Sequence, residues 1–172
     1  MLFSDLLGER PYPDELLNLY NPAYVGLVVY LGGRAFQLKA KRSLPISFPY
    51  LIFPLVAIES YRERLPDRLG KFYEWGRQNG DVLYDFPERA IALRPFVSSG
   101  LAFIRRFRLV EFDRSEQGFR FKANKILVEK VDSVFLSSAK VSRELECASV
   151  AGRLLASDAD FPAVLALFGL KP

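Results

Sequence analysis

Two runs of the chain carry no charge over a helix-like length: residues 19–33, LYNPAYVGLVVYLGG, and residues 43–58, SLPISFPYLIFPLVAI. Segments of this kind are stable only out of water, in a bilayer or inside a protein core. A spanning helix needs about 20 apolar residues, and both runs fall short while carrying Pro, Asn or paired Gly. They are read as buried core helices, with no membrane partner expected. A membrane hairpin turning at KAKR, residues 39–42, is the alternative, which detergent-free expression in the soluble fraction would argue against. A chain of 172 residues, half of them hydrophobic, can bury one substantial core around these helices but not comfortably two. One compact domain over residues 1–172 is expected.

Punctuation residues place the elements. Asn21 can cap a helix whose first turn carries Pro22, and this helix should run to about Phe36, with Gly32 and Gly33 loosening or ending it. Ser47 and Pro49 can open the next, with Pro54 bending it near Tyr50 or Leu51. An amphipathic helix follows, with Leu69, Phe72, Tyr73 and Gly76 on its core side, Trp75 covering the core edge and Gly80 as the stop. Residues 85–107, DFPERAIALRPFVSSGLAFIRRF, read as two helical pieces separated or kinked at Pro95. Further on, Val141, Leu145, Ala148, Gly152 and Leu155 share one stripe of a long helix, where Ala151 and Gly152 let a neighbouring backbone approach closely. Asp160 and Pro162 open a last short helix that Gly169 ends.

The region after Pro95 holds the candidate surface. Phe96, Val97, Leu101, Phe103, Ile104 and Phe107 fall on one wide side, whereas Ser98, Ser99, Ala102, Arg105 and Arg106 recur on the other. A hairpin over about residues 109–122 follows, with Val110, Phe112, Phe119 and Phe121 on one side. Glu111 and Asp113 face Arg120 and Lys122 on the other, and Gly118 closes the loop. A helix leading into a short hairpin is how a winged helix-turn-helix ends. The fold class expected is therefore mainly α, a compact helical domain with one β-hairpin, winged-helix-like.

Chemistry is excluded more firmly than it is assigned. No His occurs, so the commonest metal ligand and neutral-pH base is missing, and a single Cys provides no multi-cysteine cage. Cys147 has no His partner and is read as a packing residue. Paired acids, Glu59 with Glu63 and Glu144 with Glu146, stand beside Arg62, Arg64, Lys140 and Arg143, as on a solvated helix face. The adjacent glycines of YLGGRAF lack phosphate-loop spacing. No catalytic residue, metal or cofactor is expected. The first residues carry acids and no basic segment ahead of an apolar run, unlike a secretory signal, so a reduced, cytoplasmic setting is expected.

Charge separates the two binding readings. The excess is mild, 24 Lys plus Arg against 20 Asp plus Glu. A wing on DNA should be cationic, because phosphate neutralisation supplies most of the affinity. Residues 109–122 are instead neutral, with Glu111, Asp113 and Glu116 against Arg114, Arg120 and Lys122. Arg94, Arg105, Arg106 and Arg108 give only weak support to nucleic acid. The hairpin is read as a protein-binding surface, and the arginine stripe stands as a second contact.

Five stretches in order carry a resemblance: LYNPAYVGLVVY, LPISFPYLIFPLVA, RLPDRLGKFYEW, FPERAIALRPFVSSGLAFIRRFRLVEFD and VAGRLLASDADFPAVLALFGLKP. The most distinctive pieces are Asn21-Pro22-Ala23, the spacing from Leu65-Pro66 to Trp75, and the terminal Gly169 to Pro172. In this order they resemble the middle-component family of bacterial three-component ABC systems, over nearly the whole chain. None of the pieces is a catalytic signature. The resemblance implies a small non-enzymatic component encoded beside an ABC-type ATPase and an effector-associated protein, in predicted conflict or anti-phage systems. An adaptor between those two partners is the leading expectation. A winged-helix nucleic-acid binder or regulator is the alternative, and an enzyme is a distant third.

Overall fold

The computed structural model describes residues 21–67, 70–125, 139–157 and 160–171. These hold eight helices: α1 (Pro22–Ala40), α2 (Pro49–Ala57), α3 (Glu59–Arg62), α4 (Phe72–Gln78), α5 (Gly80–Leu83), α6 (Phe86–Arg106), α7 (Ala139–Leu155) and α8 (Phe161–Leu167). Three short strands, β1 (Leu44–Pro45), β2 (Val110–Asp113) and β3 (Gly118–Phe121), form an antiparallel sheet in the order β1-β3-β2. The chain is mainly α with a hairpin, as the periodicity predicts. No described helix is long and apolar enough to cross a membrane.

Helix α1 is the axis of the core. Asn21 caps it, its side-chain oxygen accepting the Ala23 amide at 2.8 Å. Its mid-section from Val25 to Tyr30 is buried along its whole length, because α6 packs on one side and α7 on another. Gly32 and Gly33 do not end the helix, contrary to expectation. It continues to Ala40, where Lys41 takes a left-handed conformation and returns its amide to the Gln37 carbonyl. The glycines are in the helix for the sake of what lies outside it: a Cβ on Gly152 of α7 would overlap the Gly32 carbonyl, and one on Gly33 would enter the Phe121 ring. A second close approach joins α1 to α6, where a Cβ on Gly26 would sit 2.9 Å from the Gly100 carbonyl. Interaxial distance is set by the side chains at the contact, so glycine here brings helix backbones together.

Other boundaries were also misjudged for reasons of packing. Helix α6 runs unbroken through Pro95, because Leu93, Val97, Leu101 and Ile104 line one buried face. That burial outweighs one lost backbone bond. Pro54 sits inside α2, as expected. Ser47 does not cap α2: Phe48 precedes its first residue, and the Ser47 hydroxyl is buried without a partner. Gly80 starts α5 instead of stopping α4, and Asn79 before it is buried with its amide donating to the Trp75 carbonyl at 2.7 Å. On α4, Tyr73 is exposed while Trp75 is buried, its indole donating to the Arg64 carbonyl at 2.6 Å. Leu69 lies outside the described residues, and so does the side chain of Val141. Gly169, at φ 70, ends α8 as expected, and Phe168 before it stacks on Phe86 at 4.3 Å between centroids.

One acid read as solvated is buried. Glu144 of α7 is 3 % exposed; it accepts the Tyr24 hydroxyl of α1 and pairs with Arg62 at 3.3 Å. Arg62 also donates to the Val56 carbonyl at the end of α2, at 2.7 Å. This network joins four helices, α1, α2, α3 and α7, through largely buried polar atoms.

Two substitutions test the packing. Gly152→Leu should lower the melting temperature by roughly 6–12 °C, since an overpacking cost of about 3 kcal/mol falls on backbone that cannot yield. Gly80→Ala, with open space around the new methyl, should leave it nearly unchanged in the same thermal scan. Glu144→Ala should destabilise by about 3–5 kcal/mol by leaving the Arg62 charge buried and unpaired. In urea titration, Arg62→Met combined with Glu144→Leu should recover much of that loss.

Candidate interaction surface

The surface begins where α6 ends. Its last turn carries Arg105 and Arg106, both exposed, cations that favour a helix C-terminus. Phe107 follows and is 59 % exposed, not part of the core side as expected; its ring lies 4.9 Å from that of Phe103 between centroids. Arg108 then adopts a left-handed φ of 57°, with its amide bonded to the Arg105 carbonyl and that of Leu109 to the Ile104 carbonyl. A glycine is usual at such a helix end, and its absence hid the corner from sequence reasoning. The corner turns the chain into β2.

In the hairpin Val110 lies opposite Phe121, Glu111 opposite Arg120, Phe112 opposite Phe119 and Asp113 opposite Gly118. Val110 and Phe121 are buried, but Phe112, on the same side, is 51 % exposed. The aromatic pair Phe112 and Phe119 meets edge to face at 6.2 Å beyond the end of the core. On the other side Lys122 pairs with Glu111 at 2.8 Å, and Arg120 pairs with Asp113.

The acids of the hairpin tip have structural roles that sequence reasoning missed. Asp113 accepts the amide and hydroxyl of Ser115 and, through its other oxygen, the hydroxyl of Ser43; Glu116 accepts the Ser43 amide. Ser43 leads into β1, a third strand that two residues and a Pro gave no reason to expect. Gly118 is required by that strand, since a Cβ there would lie 2.6 Å from the Leu44 carbonyl. The Ser115 hydroxyl chiefly holds the Asp113 carboxyl down to about 2, with Ser43 and backbone amides adding to the effect. The Ser43 amide likewise lowers Glu116.

These elements enclose two adjoining recesses. One, of about 260 Å³, lies between Tyr50 of α2, Ser98, Ala102 and Arg105 of α6, and Phe112 and Phe119 of the hairpin. The Tyr50 and Ser98 hydroxyls lie 3.1 Å apart at its edge. The other, of about 600 Å³, is bordered by Arg105, Arg108, Glu111, Phe112, Arg114 and Lys122. The structure thus gathers Ser98, Ala102, Arg105, Glu111 and Lys122 around one groove. Ser99, Arg106, Asp113 and Arg120 do not line it: Ser99 is half-buried, Arg106 exposed, and Asp113 and Arg120 paired with each other. A larger hollow of about 790 Å³ lies against α1 and α7, and none of these residues lines it. No group of three or more potential metal-ligating side chains occurs among the described residues. Burial raises the Cys147 thiol above its ordinary range, away from thiolate.

A family model, ABC-three component (ABC-3C) system Middle Component 3, matches residues 10–172. The chain belongs to this family. Neither the search of curated proteins nor that of solved structures gave a match. As a middle component of a multi-component system, the chain has a role within that system, which implies protein partners.

Acidification tests the tip. A carboxyl whose folded value is lowered from 3.8 to about 2 contributes stability that is complete above the ordinary value and is lost as pH falls toward the lowered one. Amide protection factors, taken against the intrinsic rate at each pH, should therefore fall at Ser43 and across β3 between about pH 4 and pH 2. Asp113→Asn should show fast exchange already at neutral pH, with a smaller further change on acidification.

Proposed function

We propose that this Middle Component 3 protein is a non-enzymatic adaptor that couples the ABC-type ATPase of its system to an effector protein, in a bacterial conflict or anti-phage role. The observation that carries the reading is the groove beside α6, where Phe112 stands half exposed over Ala102 and Tyr50 with charged residues at the rim. Aromatic side chains bordered by polar and charged ones are the make-up of a protein interface. The candidate surface comprises the outer face of α6 and the hairpin, and the chain acts in the cytoplasm as one unit. The family membership supports the choice of partners.

A second reading has its own observation. Helix, strand, helix, then helix and hairpin, with a β1-β3-β2 sheet, is the order of a winged helix, with α3, α4 and α5 inserted before α6. In that fold the helix before the wing is the one that enters the major groove, and here it ends in arginines. Against duplex binding stands the wing itself, whose Arg120 and Lys122 are engaged by Asp113 and Glu111.

Two measurements separate these readings. Co-expressed with the ATPase and effector components encoded beside it, the chain should co-purify with both; failure to bind either overturns the adaptor. In fluorescence anisotropy across a salt series, the isolated chain should bind labelled duplex weakly and without sequence preference. Tight, selective binding at physiological salt would promote the second reading. In that case Arg105→Ala with Arg106→Ala should make the slope of log affinity against log salt shallower by roughly 2, at about 0.9 per phosphate contact.

A further inference from the structure

The hairpin, residues 109–122, is neutral by residue count, yet together with the helix end it leaves unbalanced positive charge. Every acid there is partnered within the chain: Glu111 by Lys122, Asp113 by Arg120, Ser115 and Ser43, and Glu116 by Ser43. Arg105, Arg108 and Arg114 border the larger recess and have no ion-pair partner among the described residues. Arg105 also borders the smaller recess, which Ala102, Tyr50, Phe112 and Phe119 line. One continuous groove therefore has an apolar end and a cationic end, with Arg105 at the junction.

We propose that this groove holds an acidic segment of a partner protein, with an apolar side chain over Ala102 and carboxylates on Arg105, Arg108 and Arg114. The inference rests on the adaptor reading and specifies the chemistry of what one partner inserts. Guanidinium groups suit carboxylates because their planar donors can form paired hydrogen bonds. The apolar end supplies what a duplex phosphate backbone cannot use: burial of an aliphatic or aromatic group against three rings. A duplex would need cations spread along the wing, and there Arg120 and Lys122 are already paired. Ala102 sets the size of the anchor's seat, and Phe112, half exposed, has surface to lose on binding.

The test uses the complex co-purified with the neighbouring components. Phe112→p-benzoylphenylalanine places a photocross-linker at the mouth of the groove, and mass spectrometry identifies what it captures. The expected product is a partner segment with several Asp or Glu residues around an apolar one. Arg105→Glu with Arg114→Glu should weaken that complex by about tenfold or more, since like charges then meet across a contact. Ala102→Trp, which fills the seat from an exposed position, should do the same; melting curves like that of the unaltered chain would show that each variant is folded. If the complex forms but the cross-link is absent, or reaches a segment without acids, or the substitutions leave affinity unchanged, the groove assignment is wrong and the adaptor reading stands. A nuclease-sensitive adduct would overturn the assignment in favour of nucleic acid. Failure of the unaltered chain to form any complex would remove the adaptor reading and this inference with it.

Discussion

Everything in this fold depends on how closely α1 can be approached. Its backbone meets α7 where Gly152 lies against the Gly32 carbonyl, and meets α6 where Gly100 lies against Gly26. These contacts are made along one helix, so α1 fixes α6 and α7 relative to each other. Phe121 over Gly33 extends the same principle to the sheet, and Tyr30 adds a hydroxyl bond to the Lys122 carbonyl at 2.7 Å. The hairpin is therefore referenced to the same helix that positions α6. The groove between hairpin and α6 has walls that share one rigid support, as a pre-organised binding surface requires.

Polar contacts divide between holding and offering. Glu144, Arg62 and Tyr24 are held inside, joining α7, α3 and α1. Tyr61 and Asp85 form another tie, the tyrosine hydroxyl donating to a carboxylate that also pairs with Arg89. That bond lowers Asp85, while burial and Asp85 raise Tyr61. In neither case is a charged group left without a partner, which is what low dielectric demands. Arg105, Arg108 and Arg114 are the contrast: exposed, clustered and without an ion-pair partner among the described residues.

What could be read from the sequence was whatever acts locally. Asn21-Pro22 announced α1, Gly169 the end of α8, and alternation the faces of the hairpin, because capping, φ preference and strand period involve neighbours along the chain. The stripe through Gly152 was legible for the same reason. Its partner was not, since Gly32 and Gly33 act as a helix stop in isolation and as a contact point only once α7 and Phe121 arrive. Pro95 was misjudged by the same logic, its local cost being visible and the burial of Val97 and Ile104 not. Glu144 looked solvated because its sequence neighbours are charged, while Tyr24 lies 120 residues away. Of the candidate surface, residues on α6 and β2 were found, but Tyr50, which completes the groove, comes from α2, and no spacing rule connects it to Ala102.

The same distinction explains why a charge count misled. Adding formal charges over residues 109–122 gives zero, and a neutral hairpin argues against any ionic ligand. The count treats each charge as available to a partner. In the fold, Asp113 and Glu116 are turned inward to hold Ser43 and thereby β1, and their lowered proton affinity is the sign that they are held as carboxylates by donors. A third strand on the sheet is thus bound up with the electrostatics of the surface: joining β1 to β3 engages two acids of the tip, and Arg114 is left without a counter-charge among the described residues. The field that a partner meets is set by the charges the fold leaves over, and here those are arginines beside an apolar seat.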